Sequence, residues 1–163
     1  MAPMRAAFLA LAALLVAGPA HAELTGRASV IDADTLEIQG QRIRLQGVDA
    51  PEKTQTCEAA DGKPYRCGQK AALALDDWIA GRPVTCTEAA NRDRYGRLIA
   101  FCKVGGVDLN GWLVEQGHAV AYRRYSMAYA AAEDRARAAK RGIWAGNFQM
   151  PWDYRAEKRK KGS

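Results

Sequence analysis

The sequence predicts an α+β domain built around a small antiparallel sheet or barrel, and three observations carry that reading. Two stretches of β-branched, period-two alternating residues come first. A helical stretch separates them from a second such pair. Two further helical stretches follow, so strands and helices come in runs and not in the strict alternation of a doubly wound sheet. The 163 residues contain no internal repeat or linker and suit one compact domain.

Residues 1–22 read as a leader and not as part of that domain. Arg5 opens a short positive start, an apolar run from Ala6 to Gly18 follows, and Ala20-His21-Ala22 is a small-x-small cleavage signature. The run is too short for a comfortable membrane span. The expectation is a cleaved signal peptide and a periplasmic or secreted product, without stable membrane insertion. The leader carries Arg5 and no acid, so the formal charge falls only from +6 to +5. A basic balance of that size is compatible with an anionic partner.

The elements follow in order. Gly26 to Ile38 is rich in strand formers, interrupted at Asp32-Ala33-Asp34. Gln39-Gly40-Gln41 is a turn, and residues 42–48 alternate, giving a hairpin. Residues 53–66 are polar and unperiodic, a surface loop. Gly68 to Ala80 is a helix stopped by Gly81. Val84 to Glu88 and Leu98 to Val104 form a second hairpin. Asp108 caps a short helix that ends before Gly117. Val120 to Tyr122 is extended, and Ser126 to Arg141 is an Ala-rich helix closed by Gly142. Residues 143–154 pack their aromatics on the domain. The domain is placed at 23–155, and 156–163 is read as a disordered basic tail containing Lys158, Arg159, Lys160 and Lys161.

Four cysteines in an exported chain imply two disulfides. Antiparallel partners have residue numbers with a constant sum. A hairpin centred on Arg94 sets Cys86 opposite Cys102, which leaves Cys57 with Cys67 across the polar loop. No Cys-x-x-Cys pair exists, and His118 is the only histidine after the leader. Mechanisms that need two histidines are therefore excluded.

The same arithmetic, for a first hairpin centred near residue 41, sets Asp34 opposite residue 48 or 49. Asp34, Asp49 and Glu52 then converge at one open end. Three carboxylates together need a cation, either a hard metal ion such as Ca²⁺ or Mg²⁺ or a neighbouring arginine. Arg27, Arg42 and Arg44 are the arginine candidates. The second hairpin tip carries Arg92, Arg94 and Arg97 with Tyr95, planar cations and a stacking face suited to phosphates and bases.

Together, "VIDADT" (30–35), "IRLQGVDAPE" (43–52), "DRYGR" (93–97), "LVEQGHAVAY" (113–122) and "GIW" (142–144) resemble the thermonuclease family, the staphylococcal-nuclease-like domains. The motifs keep family order across residues 24–148. The resemblance implies a five-stranded OB-type β-barrel with three helices. It implies Ca²⁺ held by Asp34, Asp49 and the main-chain carbonyl of Ala50, where the family's best-known member has threonine. Arg44, Glu52 and Arg97 match the family's catalytic residues. Tyr95 and Tyr122 match substrate contacts, Arg94 replaces a lysine of similar role, and Arg124 stands where a second tyrosine is usual, with Tyr125 next to it as the alternative stacking ring. The implied activity is hydrolysis of DNA and RNA, preferably single-stranded, leaving 3′-phosphate ends, by a monomer. The alternative is a non-catalytic nucleic-acid-binding module of the same fold.

Overall fold

The computed structural model describes residues 22–162. The leader predicted at residues 1–22 lies, but for Ala22, outside the described residues. Among the described residues, no helix is long and apolar enough to cross a membrane.

The chain opens with β1 (Glu23–Asp32), β2 (Thr35–Ile38), β3 (Gln41–Leu45) and β4 (Val48–Asp49). A small pair, β5 (Cys57–Glu58) and β6 (Pro64–Tyr65), leads into α1 (Cys67–Ile79). Next come β7 (Pro83–Ala90), β8 (Leu98–Val104), β9 (Val107–Asp108) and α2 (Leu109–Glu115). The last elements are β10 (Val120–Ala121), α3 (Ala130–Ala138), a 3₁₀ turn (Gly142–Ala145) and α4 (Pro151–Lys161).

β1 is long enough to serve two neighbours: its first half pairs with β7 and its second half with β2. β2 pairs with β3, β7 pairs with β8, and a parallel β3–β8 contact closes the circuit. The result is the expected OB-type barrel of five strands, closed so that no long edge is left open. Alternation along the strands sends Leu36, Ile38, Ile43, Leu45, Val84 and Val104 inward. α1 adds Ala71, Leu75 and Ile79 to the core, and α2 adds Leu109, Leu113 and Val114.

The first hairpin differs from the sequence reading. The break at Asp32-Ala33-Asp34 is itself a turn, with Asp32 opposite Thr35, so the region is a three-strand meander. In β2–β3, Thr35 faces Arg44 and Ile38 faces Gln41. Asp34 therefore lies opposite Leu45, whose N–H donates to its carbonyl at 2.9 Å, and not opposite 48 or 49. Asp49 arrives by another route. Gly47, at φ +75°, turns the chain out of β3, and β4 pairs with β10 so that Asp49 faces Val120. Left-handed φ at a turn is what glycine permits.

The second hairpin has the expected register, Cys86 opposite Cys102, and that disulfide is formed within the barrel core. Cys57–Cys67 is also formed, and it braces the β5–β6 pair within the polar stretch 53–66, which is therefore not a plain surface loop. Buried Asn110 accepts from the Cys102 amide at 3.1 Å and donates to the Gln46 carbonyl at 2.9 Å, fixing α2 against the turn beneath the site. The predicted helix 126–141 is shorter. Residues 126–129 form a turn in which Tyr129 is buried and donates to Asp108 at 3.2 Å. Burial, and then the charge of Asp108, pushes the Tyr129 hydroxyl pKa up.

There are four α-helices among the described residues, not three. The residues read as a disordered tail continue α4 to Lys161, and a 155/156 boundary falls inside that helix. Pro151 at its first position favours the start, and basic side chains in its last turn suit the helix dipole.

α1 meets the Pro51–Glu52 segment closely. A Cβ on Gly68 would stand 1.8 Å from the Glu52 carbonyl oxygen. Gly68→Ala is expected to lose about 1–3 kcal/mol in urea unfolding, because backbone and not a flexible side chain must shift. A stability within error of the parent would show that α1 does not set this segment. Replacing both Cys57 and Cys67 by alanine is expected to lose about 2–3 kcal/mol in the same assay by freeing the loop between them.

Candidate active site

One open cavity of about 670 Å³ lies at the barrel rim, lined by Asp32, Asp34, Arg44, Glu52, Arg94, Tyr95, Arg97, Tyr122, Tyr125, Arg155 and Arg159, among others. Six separate stretches of chain supply these residues, the last being α4 with Arg155 and Arg159. The β1–β2 turn contributes Asp32 and Asp34, and β3 contributes Arg44. The segment after β4 brings Glu52, the β7–β8 tip brings Arg94, Tyr95 and Arg97, and the segment after β10 brings the two tyrosines.

Asp34 is held on all sides. It accepts from the Thr35 hydroxyl at 3.0 Å, from the Ala50 amide at 2.9 Å and from Arg44 at 3.1 Å. Ala33 is fully buried and does not belong to the non-glycine residues with positive φ, which are Gln39, Ala80 and Lys140 among those described. Alanine between the two aspartates thus fits the turn without left-handed strain.

Asp49 has 0% exposure. One carboxylate oxygen accepts from Arg44 at 3.0 Å and from Arg155 at 2.9 Å, and the other accepts from Arg155 at 2.9 Å. Burial pushes the Asp49 pKa up, and its bonds to Arg155 offset only part of that. The opposing bonds raise the Arg155 pKa, although burial works against its charge. Glu52 lies on a turn in which the Gln55 amide donates to its carbonyl at 2.7 Å, and its carboxylate pairs with Arg155 at 2.9 Å.

Arg97 is steered by Asp93, at 2.7 Å, and reaches the Thr35 hydroxyl at 3.3 Å. Burial would raise the Asp93 pKa, but the bonds from Arg97 and two backbone amides outweigh it and hold the group low. Arg94 lies over the Tyr95 ring and donates to its hydroxyl at 2.7 Å. Tyr95 and Tyr125 are exposed, at 68% and 62%. Tyr122 packs edge-on against Tyr125 and stacks on Trp152 at 5.4 Å.

Most of the predicted site residues meet here: Asp34, Arg44, Ala50, Glu52, Arg94, Tyr95, Arg97 and Tyr122 all line the cavity, and Asp49 lies behind Arg44 and Arg155. Arg124 does not line it. It lies 6.0 Å from the Tyr125 ring, and Tyr125 lines the cavity instead. Arg42 pairs with Glu37 on the solvent side, and Arg92 donates to the Gly96 carbonyl of its own turn. His118 packs at a tilt against Trp112, 5.3 Å between ring centroids, away from the cavity.

Sequence reasoning missed Asp32 and Arg155. Burial raises the Asp32 pKa, with the charges of Asp34 and Glu52 adding to it. The signal for Arg155 was available: Trp152, Arg155 and Arg159 are spaced three, four and seven apart, one face of a helix.

The donors gathered here are hard oxygens, the carboxylates of Asp34 and Asp49 and the backbone at Ala50, which suit Ca²⁺ in kind. Among the described residues, no three or more His, Cys, Asp or Glu side chains stand grouped as a metal cluster. The arginines, one foreseen and one not, make the ion pairs with Asp49.

Residues 42–146 match the family described as Staphylococcal nuclease homologue. The chain is 47% identical over 139 residues to the succinoglycan biosynthesis protein ExoI of Rhizobium meliloti (strain 1021), covering 82% of this chain and 72% of that protein. It is 32% identical over 146 residues to an uncharacterized endonuclease of Escherichia coli O157:H7, covering 84% and 88%. To the probable staphylococcal-like nuclease CAN2 of Oryza sativa subsp. japonica it is 33% identical over 129 residues, covering 77% of this chain and 32% of that protein. The chain belongs to the staphylococcal nuclease homologue family and is a hydrolase of the endonuclease type.

Proposed function

We propose that this protein is an exported, Ca²⁺-dependent endonuclease that cleaves DNA and RNA with little sequence preference and leaves 3′-phosphate ends. The observation that carries the reading is the meeting of Glu52, Arg44 and Arg97 in one cavity beside Asp34. Asp34, Asp49 and the Ala50 carbonyl would hold Ca²⁺, which when bound polarises a phosphate oxygen and offsets its growing negative charge.

The remaining work falls to this chain's own side chains. Glu52 orients a water and accepts its proton as the water oxygen bonds to phosphorus. The bond from phosphorus to the 5′-oxygen breaks, and that oxygen takes up a proton from solvent water. Arg44 and Arg97 donate to the equatorial oxygens as charge builds on them. Asp93 keeps the Arg97 fork aimed into the cavity, at 2.7 Å. Tyr95 and Tyr122 offer ring faces to bases. Such faces serve unpaired strands best and carry no base code. Two disulfides suit an oxidising compartment, in keeping with export. The cavity is supplied by one chain, which is in keeping with a monomer as the working unit.

Glu52→Gln is expected to lower the initial rate on denatured DNA in Ca²⁺ by at least about 10²–10³-fold, with an unchanged unfolding curve. Retained turnover would remove Glu52 from its role. Excess chelator is expected to abolish cleavage by the parent. Arg97→Lys should lower kcat by a factor of about 10² with little change in KM, since a lysine cannot reproduce the fork.

A further inference from the structure

α4 presents one face to the active cavity, formed by Trp152, Arg155 and Arg159. Trp152 lies parallel to Tyr122, with ring centroids 5.4 Å apart and planes 12° from parallel. Arg155 clasps Asp49 with both terminal nitrogens, each at 2.9 Å, and reaches Glu52 at 2.9 Å. Arg159 lines the same cavity. The helix is held on its neighbouring face by Tyr154, 3.1 Å from the Thr54 hydroxyl, and by Lys158 at 3.4 Å from the same group. Its only buried side chain is Pro151.

We propose that α4 is a built-in occupant of the active groove that gives way when a divalent cation and a nucleic-acid strand bind. The inference rests on the nuclease reading above and adds its regulation. The guanidinium of Arg155 takes up the carboxylate that a cation would need, and the indole of Trp152 covers the ring face that a base would need. Arg155 engages both carboxylate oxygens of Asp49, whereas Arg44 engages one, so a divalent cation can reach Asp49 only by displacing Arg155 from at least one of them. Binding of one therefore opposes binding of the other, and the apparent cation affinity is reduced by the fraction of molecules whose groove is open. The helix is suited to leave, since Pro151 alone is fully buried and, beyond the half-buried Trp152 on the Val120–Ile143 cluster, it is attached through polar side-chain contacts. Its basic end, Lys158 to Lys161, then stands ready for the phosphates of the strand that displaces it.

The test uses the full disulfide-bonded chain, Ca²⁺ and a short single-stranded oligodeoxynucleotide. Hydrogen exchange is followed at residues 155–161, and Ca²⁺ binding is measured by calorimetry for the parent, Arg155→Gln and Trp152→Ala. An isolated helix of 11 residues is marginal in water, so release should speed exchange there by roughly tenfold or more. Arg155→Gln should bind Ca²⁺ roughly tenfold more tightly, and Trp152→Ala should bind the oligonucleotide more tightly. Unchanged or increased protection of α4 at saturating Ca²⁺ and oligonucleotide would overturn the proposal. So would an Arg155→Gln protein that binds Ca²⁺ no better and turns over more slowly, which would make Arg155 part of the working site. Should that variant fail to fold, exchange in the parent chain decides. If cleavage is normal while α4 stays protected, this inference alone fails. If the parent neither binds a divalent ion nor cleaves, the nuclease reading fails with it.

Discussion

Asp49 is a carboxylate with no solvent exposure, and a buried charge must be paired and hydrogen-bonded or it destabilises the fold. Much of the site follows from meeting that requirement. Arg44 reaches Asp49 from β3 and Arg155 from α4, and Arg44 also holds Asp34. A cluster of acids that would repel one another is thereby held together by interleaved guanidinium groups. The same groups put the machinery for handling phosphate next to the acids, so charge balance and chemistry are solved by one set of contacts.

The scaffold supplies precision at this rim through backbone as much as through side chains. The pairing of β4 with β10 places Asp49 one step from the strand end that carries Tyr122, whose amide donates to Gly47 at 2.8 Å. Asn110 ties α2 to the same turn. Glu133 of α3 accepts from the Ala121 amide at 2.7 Å and is itself held by Arg123 at 3.0 Å. The two disulfides differ in what they do. Cys86–Cys102 lies within the barrel core, whereas Cys57–Cys67 restrains the segment between Glu52 and α1.

The C-terminal helix changes how the charge of this protein is understood. Counted along the sequence, its lysines and arginines look like a solvated basic end. Folded as α4, they divide by face. Arg155 and Arg159 turn toward the cavity, Lys158 toward Thr54, and Lys161 pairs with Glu157. Net charge alone would not separate a general attraction to polyanions from specific ion pairs within a site.

What the sequence determined by itself was everything that depends on local pattern or ordered motif. Alternation marked the strands that line the barrel, and a constant residue sum put Cys86 opposite Cys102 because that hairpin is locally closed. The ordered motifs brought Asp34, Arg44, Glu52 and Arg97 into one site. Tertiary structure decided what depends on long-range pairing. Asp34 and Asp49 meet through the β4–β10 contact, not across one hairpin, and no local count contains Val120. Tyr125 lines the cavity and Arg124 does not, because the turn after β10 sets their places. Arg155 lies more than 100 positions from its carboxylate partners. Its helical spacing with Trp152 was visible in the sequence, but its destination was not, since only the folded barrel brings α4 across the groove.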